Sequence, residues 1–385
     1  MKKILVIHNK YRLTGGEDIA VGKEIDLLRQ NFEVEVLLFD NSIKNYFKQT
    51  LWFLINSNMD SNKQLKKILK DFSPDIAYVH NTWFKGSLGI FRILKSLNIY
   101  TILKLHNFRY YCTKSYITKN HLISNQLCQA CGLNKNQLGT FNKYFQDSWL
   151  QSLIVNRYGK KYFKIIKSLD FQILVLTTFH KNFLIELGIE KQRIKVLPNY
   201  ISVTKNKRDR SVEDFIVYAG RISPEKGVKE LIDAFRKIRN NKSVLKIIGV
   251  GPSYEELKKI YSSEKIQFLG QLPNHEVIDF ISKSKGVVTA TKLFEGQPTL
   301  LCEASRLGVP SVFPKSGGIA EFYPLDYSFS FEQFNYGDLQ KKLELLLTNN
   351  QPRQQGAMNK MYISKFLDKQ RLLDEFDEIV IDSNG

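Results

Sequence analysis

Residues Phe215–Val228 read F-I-V-Y-A-G-R-I-S-P-E-K-G-V, and this stretch decides the fold. The unbroken apolar run Phe215–Ala219 suits a strand buried on both faces, as in a parallel sheet covered by helices. Gly220 ends the run, and Pro224 suits the first turn of a helix. Strand, loop and helix in that order form the repeating unit of an α/β fold.

The same alternation extends in both directions. Downstream, strands are expected at Val244–Ile248, Ile266–Leu269, Gly286–Ala290 and Val309–Phe313. Upstream, they are expected at Lys3–His8, Glu33–Phe39, Asp75–His80, Tyr100–Leu105, Gln172–Thr177 and Arg193–Leu197. Between the two series, Thr204–Asp214 (T-K-N-K-R-D-R-S-V-E-D) is polar, charged and without apolar periodicity, which marks a linker. The reading is therefore two Rossmann-like domains with parallel sheets facing a central cleft. Residues 1–203 form the first and residues 204–355 the second. Residues 356–385 form a C-terminal helix, within a stretch Gln354–Ile381 of helical spacing.

Length and composition agree. A chain of 385 residues suits two domains, and an apolar fraction of 43% is ample for two cores. The longest apolar stretches, such as Leu51–Ile55 and Phe171–Leu176, fall far short of the ~20 residues of a membrane span. Ile4–Ile7 is too short for a signal-peptide core and reads as the first strand, so the expected location is the cytoplasm. Net charge is +19, with +16 of it in residues 1–200. Lys85–Lys181 holds 15 basic residues against two acids, Asp147 and Asp170. Such a field implies an anionic partner: nucleic acid, a phospholipid surface or a pyrophosphate-bearing lipid.

Open parallel sheets bind ligands at the carboxyl ends of their strands. His8, His80 and His106 fall at such ends in the first half, and His106 is followed by Asn107 and Arg109 on a loop. Gly15–Gly16 sits between the first strand and its helix, where glycine permits close approach of backbone to ligand. In the second half, Arg221 and Lys226 leave a strand end and would neutralise a diphosphate departing from an anomeric carbon. Glu295–Ala304 (E-G-Q-P-T-L-L-C-E-A) places Glu295 just before a helix opened by Pro298, with Glu303 more than a turn inside. The amides of Thr299 and Leu300 would hold phosphate oxygens at the positive helix end. Glu295 would bind sugar hydroxyls, and Glu303, in an otherwise apolar helix, would hold a ribose diol.

The Glu295…Glu303 pair has the E-x7-E spacing of retaining glycosyltransferases, and the sequence around it resembles glycosyltransferase family 4. Further segments resemble that family in the expected order. They are G-G-E at Gly15–Glu17, L-H-N-F-R at Leu105–Arg109, P-N at Pro198–Asn199 and G-R-x-x-x-E-K-G at Gly220–Gly227. G-V-G-P at Gly249–Pro252, F-L-G at Phe268–Gly270 and S-G-G at Ser316–Gly318 complete the set. The resemblance implies the GT-B fold, a nucleotide-diphosphate sugar donor and retention at the anomeric carbon. It implies donor binding by Gly16, Arg221, Lys226, Thr299, Leu300 and Glu303, and catalytic positions for His106 and Glu295. It also implies a C-terminal helix that crosses back to the first domain. His80 and Arg109 are the candidates on the acceptor side, with domain closure bringing donor and acceptor together.

Two positions depart from the family. Gln297 stands where a bulky apolar residue is usual, and Tyr200 where glycine is common. Gln297 would alter donor-sugar preference. Cys112, Cys128 and Cys131, with His121 nearby, have part of a zinc-site spacing. Relatives often carry cysteines there too, which favours a local structural element. No D-x-D triplet occurs, so no metal or other cofactor is expected, and Arg221, Lys226 and the helix end would take the place of a metal clamp.

Trp149–Lys167 mixes aromatics, aliphatics and lysines in a way that suits a helix on an anionic membrane. The expected acceptor is thus a lipid-linked or polysaccharide saccharide at the inner face of the plasma membrane. A sugar-nucleotide epimerase or glycan phosphorylase on the same fold is one alternative, and a basic nucleic-acid-binding protein another. No helix-turn-helix, zinc-finger or RNP-type signature supports the last, so no nucleic acid partner is expected.

Overall fold

The computed structural model describes residues 1–11, 16–41, 45–112, 148–202, 212–239, 242–348 and 351–381. They divide into two compact units, Met1–Tyr200 with Lys369–Gly385, and Ile201–Asp368.

Unit 1 runs β1 (Lys3–Lys10), α1 (Gly16–Leu28), β2 (Glu33–Asp40), α2 (Tyr46–Ile55), α3 (Met59–Phe72), β3 (Ile76–Val79), α4 (Gly89–Ser96) and β4 (Tyr100–Leu105). It continues with α5 (Trp149–Ser168), β5 (Gln172–Val175), α6 (Thr178–Glu186) and β6 (Ile194–Val196). The six strands form one sheet in the order β2-β1-β3-β4-β5-β6, with every pairing parallel. The central strand β3 is buried along its whole length, as both faces of a helix-covered sheet require. The edge strand β2 alternates exposed and covered positions instead.

Unit 2 runs β7 (Phe215–Ala219), α7 (Val228–Arg236), β8 (Val244–Ile248), α8 (Tyr254–Tyr261), β9 (Ile266–Gly270) and α9 (Asn274–Lys283). Then come β10 (Gly286–Val288), α10 (Thr299–Leu307), β11 (Ser311–Lys315), β12 (Ser330–Glu332), α11 (Tyr336–Thr348) and α12 (Gln351–Phe366). Its sheet order is β12-β11-β10-β7-β8-β9, again all parallel. Read from the other edge, this is the doubly wound order whose direction of winding reverses between β7 and β10. A crevice for ligands opens at such a reversal, beyond the strands' carboxyl ends. In unit 1 the corresponding reversal lies between β1 and β3.

The helical spacing over Gln354–Ile381 is divided between two helices. α12 packs with unit 2, where Ile363 and Leu367 are buried in its core. A second helix, α13 (Lys369–Ile381), belongs to unit 1. Its Leu372, Leu373, Phe376, Ile379 and Val380 join the core made by Ile4, Val6, Leu28 and Tyr78. Phe376 meets Phe32 edge-on with ring centroids 5.7 Å apart, and the Lys2 ammonium donates to the Val380 carbonyl at 2.7 Å. Among the described residues, no helix is long and apolar enough to cross a membrane.

Candidate functional site

The loops that leave β7 and β10 meet at the reversal point of unit 2. After β7, the Tyr218 hydroxyl donates to the Arg221 carbonyl at 2.8 Å and fixes the turn. Pro224–Lys226 forms one 3-10 turn, and Gly227 follows at φ +68°. A Cβ on Gly227 would lie 2.0 Å from the Ala290 carbonyl oxygen, so only glycine lets this turn press against the end of β10. The Lys292 amide donates to the Glu225 carbonyl at 2.9 Å, and its ammonium pairs with Glu230 at 2.6 Å. The two loops are thereby joined by backbone and side chain alike.

Lys226 and Glu295 come together at this junction. The Lys226 ammonium lies 2.5 Å from Glu295 Oε1, which also accepts from the Thr291 hydroxyl at 3.0 Å. The backbone of Glu295 is held in turn by the loop after β11, whose Gly318 amide donates to its carbonyl at 2.9 Å. Gly317 sits at φ +57°, where a Cβ would approach that carbonyl oxygen to 2.3 Å. Among the described residues no ion pair ties down the Arg221 side chain in this way, and Arg221 is exposed.

Four residues after Glu295, α10 begins. Pro298 precedes it and supplies no side-chain cap, so the first amides of the helix lack the usual capping oxygen from that position. Those amides and the helix dipole make the end attractive to an anion. Glu303 is buried one turn further in, among Leu301, Cys302, Ala304 and Ser305. Gln297 hydrogen-bonds the Cys302 thiol, which burial pushes far above its ordinary value, so that thiol stays protonated. The hydroxyl of buried Ser223, on the loop after β7, has no hydrogen-bond partner among the described residues.

In unit 1, the three histidines do converge. His8 and His80 have ring centroids 6.2 Å apart, and His80 stacks on His106 at 5.2 Å. His8 Nε2 lies 2.8 Å from Asp18 Oδ1. His80 Nδ1 lies 2.9 Å from His106 Nε2. Burial first, then the neighbouring His8 and Lys104, hold His80 well below the usual histidine range. His106 is lowered well by the same burial, with His80 next. A neutral pair has two protons, of which one fills the contact. The other then resides on His106 Nδ1 or on His80 Nε2, depending on which ring donates. Both of those atoms lack partners among the described residues.

Beneath the histidines lies an ion pair. Lys104, within β4 and fully buried, donates to Glu24 Oε1 at 2.8 Å, and the Tyr78 hydroxyl donates to the same oxygen at 2.7 Å. Beside them, Glu17 accepts from the Tyr11 hydroxyl at 2.8 Å and the Asn107 amide at 3.0 Å. Burial raises the Glu17 carboxyl above its usual range, opposed by His8, Tyr11, Arg109 and Asn107. Arg109 lies over the rings of Tyr11 and Trp83, at 5.1 and 5.7 Å.

The residues chosen from sequence thus fall into two groups, one in each unit. Arg221, Lys226, Glu295, Thr299, Leu300 and Glu303 lie on the loops and helix at the reversal of unit 2. His80, His106 and Arg109 lie at strand ends of unit 1, and Gly16 opens α1. His80 is almost wholly buried behind His106, a position for supporting that ring. Cys112 is buried, whereas Cys128, Cys131 and His121 lie outside the described residues. Among the described residues, no cluster of three histidine, cysteine or acidic side chains is placed to hold a metal ion. Sequence reasoning passed over Asp18, Glu24 and Lys104. The signal was available for the last two, as charges inside the apolar patterns of α1 and T-I-L-K-L.

Residues 203–360, most of unit 2, match the family model for Glycosyl transferases group 1. Over most of its length the chain is similar to an uncharacterized glycosyltransferase of Methanocaldococcus jannaschii, 23% identical over 379 residues and covering 94% of each chain. It is 25% identical over 328 residues to the capsular polysaccharide biosynthesis glycosyltransferase CapM of Staphylococcus aureus, covering 78% of this chain and 84% of the relative. Among solved structures, HepE of Anabaena in complex with UDP and glucose aligns with a TM-score of 0.69 at 14% identity, covering 99% and 100% of the two chains. Sucrose-phosphate synthase of Thermosynechococcus elongatus aligns at 0.72 and 14%, covering 99% of each. The fold is therefore GT-B: two parallel six-stranded sheets, each with its helices.

Proposed function

We propose that the chain is a retaining, metal-independent hexosyltransferase that moves a sugar from a nucleotide-diphosphate donor to a hydroxyl of a lipid-linked or polysaccharide acceptor. The observation that carries this reading is the junction of unit 2, where the Lys226–Glu295 pair, exposed Arg221 and the start of α10 lie on the segments that follow β7 and β10. Arg221, Lys226 and the amides of Thr299 and Leu300 bind the diphosphate and stabilise its charge as the glycosidic bond breaks. Glu295 accepts from hydroxyls of the transferred sugar, and Glu303 from the ribose. The acceptor proton passes to the departing phosphate oxygen, which keeps attack and departure on one face and so retains configuration. Neutral His106 hydrogen-bonds the reacting sugar, with its tautomer coupled to that of His80. The relative named for capsular polysaccharide biosynthesis supports the acceptor class, as does the complex of a structural neighbour with UDP and glucose for the donor.

Proton NMR of the first-formed product tests the reaction. With EDTA present, the expected product has the anomeric configuration of the donor. Inversion would end the retaining mechanism. Activity lost with EDTA and restored by Mn²⁺ would end metal independence.

A further inference from the structure

Helix α5 carries a second feature, away from its core face. Val155, Tyr158, Tyr162 and Ile166 are buried, and the Tyr158 hydroxyl donates to the Thr82 carbonyl at 3.0 Å. Gly159, a poor helix former by propensity, lies on this buried side. On the opposite side, Leu150, Leu153, Arg157, Lys160, Lys161 and Lys164 recur at spacings of three and four, so they form one stripe. Leu150 and Leu153 are 70% and 51% exposed, although they are large and apolar. The four cations follow them along a helix about 30 Å long, and α5 contains no acidic residue. None of the four is ion-paired among the described residues. A groove of about 360 Å³ runs between Leu153 and Lys164. Arg92, exposed on α4, crowds the same region. Partial burial, then Arg157 and Arg92, pull the Lys161 ammonium below the ordinary lysine value.

Like charges crowded on one stripe, with exposed leucines at one end, are a poor arrangement for water alone and a good one for an interface. We propose that this stripe is a docking surface for an anionic lipid bilayer. The leucines enter the headgroup–acyl boundary while Arg157, Lys160, Lys161 and Lys164 meet lipid phosphates. A nucleic acid would use the cations and leave the leucines idle, which is why the bilayer is the better partner. The biological role of the surface rests on the proposed lipid-linked acceptor; its existence does not.

Co-sedimentation of the full chain with vesicles tests the proposal. Vesicles of 30:70 phosphatidylglycerol:phosphatidylcholine should bind the protein, and pure phosphatidylcholine should bind it far less. Each cation near such a surface contributes about a fivefold factor, so K160Q/K161Q/K164Q should weaken partitioning roughly 100-fold. L150N/L153N should weaken it several-fold and remove the part that survives high salt. Both variants alter exposed side chains and should keep the wild-type thermal shift with nucleoside diphosphate, which separates failure here from failure of the donor site. Equal binding to both vesicle types, or wild-type binding by the lysine variant, would overturn the proposal. So would binding to duplex DNA that exceeds vesicle binding at equal salt and ignores the leucine variant.

Discussion

In unit 1 Lys104 and Glu24 are buried against one another beneath the paired His80 and His106, whereas in unit 2 Lys226 and Glu295 stand partly exposed just before a helix start. Lys104 and Glu24 are buried together under the histidine pair, and both imidazoles are driven neutral. Lys226 and Glu295 each keep 28% of their side chains exposed, next to exposed Arg221. A buried pair has already lost its water and can only hold shape. A half-exposed pair can exchange partners with an arriving anion at small cost. The same chemical groups are therefore scaffold in one unit and, under the proposed function, receptor in the other.

The largest effect should come from breaking the scaffold. Glu24→Ala leaves a fully buried lysine and the Tyr78 hydroxyl without their acceptor, and stability should fall by about 3–5 kcal/mol in urea denaturation. Adding Lys104→Met should recover much of it. An unchanged midpoint for Glu24→Ala would erase the distinction between the units.

Lys226→Ala should do the reverse. Transfer should drop about 10²–10³-fold, or roughly 2.7–4 kcal/mol in the barrier, by loss of charge stabilisation at the diphosphate. The unfolding midpoint should move by less than about 1 kcal/mol, because the lost pair is partly in water. A large stability loss with the catalytic rate intact would make Lys226 scaffold as well.

The smallest effect per step is set by pH. His80 and His106 are held well below the histidine range, and His180, which meets the Tyr110 hydroxyl at 2.8 Å, is pulled down to about 3 by burial. The unfolded chain takes up these protons near pH 6.5, while the folded chain does not. Their contribution is thus present above that pH and is lost as pH falls from 6.5 towards the folded values. Each histidine should remove about 1.4 kcal/mol per pH unit in that window. His180→Phe should flatten the slope; an unaltered slope would show that this histidine titrates normally when folded.

Much of this architecture was legible from sequence because parallel strands buried on both faces leave unbroken apolar runs. Tyr100–Leu105, Phe215–Ala219 and Val244–Ile248 match their strands residue for residue. β12 escaped because Ser330–Glu332 is three residues long and has no such run. The ends of β10 and β11 shifted because Thr289–Ala290 and Val309–Pro310 are apolar enough for a strand yet belong to the flanking turns. Of the candidate site, loop position and charge could be read, since strand ends and Pro-marked helix starts are local signals. Pairing could not. The Lys226–Glu295 contact joins residues 69 apart, and the Glu24–Lys104 pair joins residues 80 apart, so each depends on which strands lie side by side.

The most direct test of the receptor role of unit 2 is a thermal-shift titration with UDP, GDP, ADP and CMP in EDTA. One nucleoside diphosphate should stabilise the protein, by about 2.7 kcal/mol at 100 times its dissociation constant, and Arg221→Ala/Lys226→Ala should abolish the shift. A shift that persists undiminished in the double variant would contradict the account, because the diphosphate would then be held somewhere other than the strand-end junction of unit 2.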